Sequence, residues 1–268
     1  MSGSGGDALA RESLGRRLTR AEAEAVQVAL AARVQHRGVS LREVRCVAGA
    51  ACASRQDGVF AAAGLLTFPA LEVVEQTTAR AVAQMPYVPG LRAFREGEAL
   101  FAAIAGLSSR PDVVFFRGHG VAHPRGCGLA SHLGLALGLA AIGCAQRGLG
   151  RGGARRETSG RYEVTGWGGM ARSPSATAMA AFGLATRPLL SFGEPGDCAP
   201  LVNEQGRPVG AAVVTRPGAR ALLVSVGHLI DLGTAVALTL ACSRGHVLPE
   251  PLRLAAIAAR EAMRRRCP

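Results

Sequence analysis

The chain has 268 residues, 49% of them hydrophobic and 19% charged, which is long enough to bury a full core and too apolar for a disordered polypeptide. No apolar run reaches the roughly eighteen residues of a membrane span, and residues 1–17 lack the apolar stretch of a secretory leader, so a cytoplasmic protein is expected. Seven cysteines are scattered without a C-x-x-C pair, which argues against a zinc knuckle or a disulfide framework and leaves them as small buried hydrophobes. All 31 basic residues are arginine, against 19 acids, for a net charge of +12. Codon bias toward GC explains arginine over lysine but not the surplus over acids. That surplus predicts an anionic partner: nucleic acid, an acidic protein or partner subunit, or a phosphate- or sulfate-bearing small molecule.

Residues 1–6 read as a flexible Gly/Ser tail, and residues 7–268 as one domain. Thr19 and Glu22 stand at capping-box spacing ahead of a helix with Val26, Leu30 and Val34 on one face. Residues 45–52, 59–67 and 71–78 read as three strands of an antiparallel meander, turned at Gln56-Asp57-Gly58 and Phe68-Pro69-Ala70. After Pro86-Tyr87-Val88-Pro89-Gly90 the period becomes helical, with Phe94, Leu100, Phe101 and Ile104 as the buried stripe. Residues 112–116 (DVVFF) are a continuous apolar run, the mark of a strand buried on both faces. A Gly/His loop leads to a helix over 131–139 and a strand over 141–145. Residues 150–190 break the pattern as an insertion: 151–161 is Gly/Arg-rich and loop-like, and 173–184 admits a small helix. Tyr162 and Trp167 suit a nucleic-acid arm there, and the stretch equally suits a docking surface, a lid or a plain surface loop. Strands resume at 210–215 and 221–225, and helices close the chain over 233–241 and 251–265. The fold class is α/β: a mixed, RNase H-like sheet in which a three-strand meander precedes parallel strands, flanked by helices.

Several ordered motifs carry a resemblance. Met85-Pro86-Tyr87-Val88-Pro89-Gly90 with Phe94-Arg95-Glu96 resembles P-Y-[IV]-P-G…F-R-E of the endonuclease V family. Gly118-His119-Gly120-Val121-Ala122-His123-Pro124-Arg125, then Gly128-Leu129-Ala130-Ser131-His132, is similar to that family's D-G-H-G…H-P-R…G-[VL]-A-S-H block. Gly227-His228 and Leu248-Pro249-Glu250-Pro251 with Arg253 resemble its C-terminal motifs. The likeness covers about residues 40–149 and 194–260. It implies an enzyme that cuts nucleic acid near hypoxanthine and holds Mg²⁺ with an Asp on the first strand, a Glu after the meander and an Asp ending the buried strand. Such a site needs hard oxygen ligands to activate water and offset charge at phosphorus.

Carried over position by position, only the glutamate survives, as Glu96. The motif G-A-D-x-G reads Gly49-Ala50-Ala51-Cys52-Ala53, so the first Asp is Ala51. D-G-H-G reads Arg117-Gly118-His119-Gly120, so the second is Arg117. The lysine of I-G-V-A-K is Gln146. A guanidinium stays protonated and repels a cation; two unit charges about 4 Å apart interact by about 4 kcal/mol at an effective dielectric of 20. The resemblance thus implies a pseudoenzyme with no metal and no other cofactor. Glu96 and His228 remain as candidate catalytic groups, and Tyr87, Arg95, Arg117, His123 and Arg125 as candidate substrate-binding groups.

Arg117 either binds an anion through forked hydrogen bonds or pairs with Glu96. His119, His123, His132 and His228 beside Glu96 leave open a softer metal, though no ligand spacing is diagnostic. Tyr87, between prolines, either stiffens a turn or keeps the family's role as a wedge parting the bases. The foremost functional expectation is a basic nucleic-acid binder without nuclease activity. The alternatives are a metal-free, conceivably biosynthetic enzyme on an anionic small molecule, perhaps carried on an acidic protein, a subunit of a hetero-complex, and a residual inosine-specific nuclease.

Overall fold

A tight turn at Gln56-Asp57 folds strand β1 (Cys46–Arg55) back on β2 (Gly58–Thr67), with Arg55 opposite Gly58 and Ala51 opposite Ala62. Gln56 takes a φ of 52° there, in the positive region that tight hairpin turns use. Strand β3 (Val73–Val82) adds antiparallel to β2. The expected meander is therefore present, with boundaries moved. β3 starts two residues late because Leu71, at φ 61°, still belongs to the turn, where the Thr67 hydroxyl accepts the Glu72 N–H at 3.1 Å. It runs on to Val82 because the ladder persists to the Gly58–Val82 pair.

The computed structural model describes residues 6–146, 154–156, 162–164, 194–203 and 207–266. Helix α1 (Ala8–Glu12) precedes α2 (Arg20–Ala31), which carries the Thr19–Glu22 capping box. After the meander come α3 (Arg92–Ala105), β4 (Val113–Arg117), α4 (Leu129–Leu137) and β5 (Ala140–Ala145). Two short strands, β6 (Ala154–Arg156) and β7 (Tyr162–Val164), pair antiparallel inside the stretch expected as a loop. The helix expected at 173–184, and Trp167, lie outside the described residues. Strands β8 (Cys198–Val202), β9 (Pro208–Val213) and β10 (Leu222–His228) follow, then helices α5 (Leu232–Ala241) and α6 (Glu250–Arg266). Among the described residues, no helix is long and apolar enough to cross a membrane.

One eight-stranded sheet has the order β3-β2-β1-β4-β5-β10-β9-β8. β4 lies parallel to both β1 and β5, and β8, β9 and β10 form a second antiparallel meander at the far edge. β8 escapes a sequence reading because Pro200 interrupts a five-residue apolar stretch. On an edge strand, one missing N–H costs little. The helix α1 was likewise not foreseen; it is one turn, capped by Asp7, whose carboxylate accepts the Ala10 N–H at 3.0 Å.

Alternation along the central strands feeds two cores. Val114 and Phe116 of β4 join Ala48, Ala50 and Leu65 under α3 and α4. Val113 and Phe115 join Val47, Ala51 and Val224 under α5 and α6. Helix α6 comes unusually close: a Cβ on Gly49 would lie 2.1 Å from the Pro251 carbonyl carbon. Its later residues Ala258 and Ala259 pack on Ala62, with Ala53 alongside.

Gly49→Ala is expected to push α6 off the sheet and cost about 1–3 kcal/mol or more, as overpacking does. The urea midpoint, with unchanged m-value, measures it.

Candidate functional site

Parallel pairing sets Ala50 of β1 beside Phe116 of β4. The next residues, Ala51 in the middle of β1 and Arg117 at the carboxyl end of β4, therefore sit side by side. Helix α3 supplies Arg92 and Glu96, four residues apart and so on one face. The Arg92 guanidinium grips the Glu96 carboxylate with both edges: Nε donates to Oε1 at 3.1 Å and Nη2 to Oε2 at 2.5 Å. Its remaining nitrogen, Nη1, donates to the carbonyl oxygen of Arg117 at 2.9 Å. The pair is largely enclosed, with side chains 29% and 8% exposed.

Of the two readings left open for Arg117, the pairing with Glu96 is not formed. Glu96 is neutralised by Arg92, not Arg117. The reason is local: an i,i+4 pair on a helix meets without any chain displacement. The R-x-x-x-E spacing at 92–96 was the available signal. The Arg117 side chain pairs with no carboxylate among the described residues, and its hydrogen bond to Gln146 is a long one, Nη2 to Oε1 at 3.4 Å.

Charge around these groups is lopsided. Burial works against the Arg92 cation, but the Glu96 carboxylate outweighs it and raises the Arg92 pKa. Burial lowers that of Arg117, and the like charges of Arg92 and Arg260 lower it further. Cys52, next to Ala51 on β1, adjoins Glu96 and Arg92; burial first and the Glu96 charge second hold its thiol well above the ordinary value. It is a neutral thiol there, not a thiolate ligand.

The site does not fit a divalent cation. Of the carboxylates that the motif pattern requires, only Glu96 is present, and both its oxygens accept from Arg92. Among the described residues, no three His, Cys, Asp or Glu side chains gather where one ion could be held. The histidines point to different tasks. His132, wholly buried, turns Nε2 to the Ala10 carbonyl at 2.9 Å and the Ser13 hydroxyl at 3.0 Å, pinning α1 to α4, and stands edge-on to Phe94. A carbonyl can only accept, so Nε2 carries the proton and Nδ1 is left as a buried acceptor without a partner. The Nδ1 of His228 accepts the Gln35 N–H at 3.2 Å, so this ring braces the chain after α2 and does not contact Glu96.

The remaining candidates converge on one loop. The Gly90 carbonyl meets His123 Nε2 at 2.9 Å and accepts from Gln27 Nε2 at 2.9 Å. His123 Nδ1 in turn accepts the Arg125 N–H at 3.2 Å, and Arg125 Nε donates to Gln27 Oε1 at 2.7 Å. Arg95 donates to the carbonyls of Met85 at 2.8 Å and Gln56 at 2.9 Å. His123 and Arg95 thus hold backbone carbonyls of residues 85–90, while Arg125 pairs with Gln27 and Glu24 behind them. The loop presents Tyr87, 62% exposed.

Comparison with known proteins agrees along most of the chain. The family model for endonuclease V matches residues 28–257. An endonuclease V from Roseiflexus sp. (strain RS-1) is 38% identical over 212 residues, covering 79% of each chain. The crystal structure of endonuclease V from Streptomyces avermitilis superposes with a TM-score of 0.74 at 33% identity, over 95% of this chain and 97% of that one. Ciona intestinalis endonuclease V, crystallised with DNA containing an inosine, has the same fold: TM-score 0.72 at 22% identity, over 91% and 98% of the two chains.

Arg92→Met is expected to destabilise the protein by about 3–5 kcal/mol, because it strands the Glu96 charge in a closed site. Arg92→Met with Glu96→Leu should recover most of that loss, and denaturant unfolding of both variants checks it. A pH dependence follows from the histidines. Burial brings His123, His132 and His228 down to about 4 from the ordinary 6.5. Between those values the unfolded chain binds more protons than the folded one. Stability is therefore full above about pH 6.5 and lost as the pH falls toward 4, by up to about 3 kcal/mol per ring. His132→Asn should flatten the fall in urea midpoint between about pH 7 and pH 5.

Proposed function

The chain belongs to the endonuclease V family, and from that premise we propose that it binds nucleic acid without metal-dependent strand cleavage. One observation carries the reading: the Arg92 guanidinium occupies the only family carboxylate left, with Arg117 where another would stand. A cation entering there would meet fixed positive charge and a carboxylate already saturated with hydrogen bonds. Neither Glu96, held by Arg92, nor His228, held by Gln35, is placed to move a proton on substrate.

Recognition is retained where cleavage is not. The surplus of 31 basic over 19 acidic residues attracts a polyanion. Tyr87 is exposed on a loop fastened by Arg95, His123 and Gln27, so its ring is presented rigidly, as a wedge must be. The Ciona relative, crystallised with inosine-containing DNA, makes a strand bearing hypoxanthine the first ligand to try.

A fluorescent deoxyinosine oligonucleotide, single- and double-stranded, is expected to bind, with affinity falling steeply as salt rises. No nicking above a Glu96→Ala control is expected in Mg²⁺ or Mn²⁺. Tyr87→Ala should weaken binding by roughly 1–3 kcal/mol, the worth of one stacked base. Nicking that disappears in Glu96→Ala would refute the reading.

A further inference from the structure

Guanidinium groups from three elements lie within electrostatic reach of the end of β4, and among the described residues only Arg92 of the three has a carboxylate partner. Arg92 is neutralised by Glu96. Arg117, partly buried at the end of β4, has no carboxylate partner among the described residues. Arg260 lies close by. The preceding α6 residue, Ala259, packs on Ala62, and Ala62 pairs across the hairpin with Ala51, the neighbour of Arg117. Arg260 also has no carboxylate partner among the described residues. Arg260 is exposed, whereas the Arg117 guanidinium is partly withdrawn from water and faces like charge, which is costly unless an anion offsets it.

We propose that Arg117 and Arg260, backed by the fixed Arg92–Glu96 pair, form a pocket for one phosphate group that needs no divalent ion. The family's electrostatics would then be inverted at the same place in the fold. The inference rests on the nucleic-acid reading for its ligand, a backbone phosphodiester of the bound strand, but the chemistry is that of phosphate in general. Two planar forks from different elements suit the paired oxygens of a phosphate. Tyr87, close to Arg92, would part bases while the pocket holds the adjoining backbone.

The test uses the full chain with Arg117→Gln and Arg260→Gln, which keep polarity and approximate length. Arg117→Gln relieves like-charge repulsion, so its Tm should be equal to or above that of the parent, which separates lost binding from lost folding. Binding of a deoxyinosine oligonucleotide is followed in EDTA and in Mg²⁺, with single phosphates replaced in turn by neutral methylphosphonate. The expected result is metal-independent binding in which one replacement near the inosine costs on the order of tenfold. That cost should vanish in Arg117→Gln, whose salt slope drops by about one. Binding with the same methylphosphonate profile in parent and Arg117→Gln would overturn the pocket and leave the nucleic-acid reading standing. If no oligonucleotide binds, thermal stabilisation by inorganic phosphate is decisive. Stabilisation lost in Arg117→Gln would uphold the pocket for a free phosphate while sinking the nucleic-acid reading. Its absence would sink both.

Discussion

Everything at the carboxyl edge of this sheet depends on a carboxylate that must not stand alone. Glu96 projects from α3 into a nearly closed space, and an isolated charge there would cost several kcal/mol. Arg92, one turn earlier on the same helix, supplies the counter-charge, and its third nitrogen reaches the Arg117 carbonyl, tying helix α3 to strand β4. An internal guanidinium thus does the neutralising that a bound cation would otherwise do. Such a pair is no great source of stability compared with apolar packing of the same volume. Its effect is to satisfy both oxygens of Glu96.

A second constraint organises the rim. The Gly90 carbonyl is met by Gln27 from α2 and by the ring of His123, while Arg125 and Arg95 secure the flanks. Three polar side chains from separate parts of the chain, Gln27, His123 and Arg95, hold carbonyls of one loop, and Arg125 in turn holds Gln27. Loops that bind are commonly mobile; this one is braced, and the residue it displays is Tyr87. The two constraints act on neighbouring ground, since Arg92 stands near Tyr87 and one residue beyond Leu91, whose N–H closes the loop on the Val88 carbonyl.

The sheet explains why so much substitution leaves the architecture unchanged. The substituted positions sit at the margin of the cores: Ala51 fits the apolar face under α6, and Arg117 follows the last core residue of β4, Phe116. Alanine at that position extends the core, and arginine at 117 ends a strand whose other residues, Val113 to Phe116, are all buried. The fold tolerates these changes because their cost falls on the site.

Periodicity and turn chemistry made much of the fold legible. The capping box at Thr19, the Gln56-Asp57 turn and the DVVFF run are local signals, and local signals survive without knowledge of partners. Motif order likewise identified the family and the positions where its carboxylates are missing. What each surviving side chain does was not legible. Arg95 and His123, candidates for substrate contact, hold backbone carbonyls of a loop, Arg125 holds Gln27 and Glu24, and Glu96, one of two partners open to Arg117, is taken by Arg92. A long polar side chain can reach many groups, and only the packed arrangement of α2, α3 and β4 decides which one is nearest. The sequence by itself determined the elements and the loss of the carboxylates, because those depend on neighbours along the chain. The Arg92–Glu96 pair was itself within reach of the sequence as an i,i+4 spacing; only the tertiary structure decided that Arg92 also reaches the Arg117 carbonyl and that Arg117 has no carboxylate partner among the described residues, because those depend on neighbours in space.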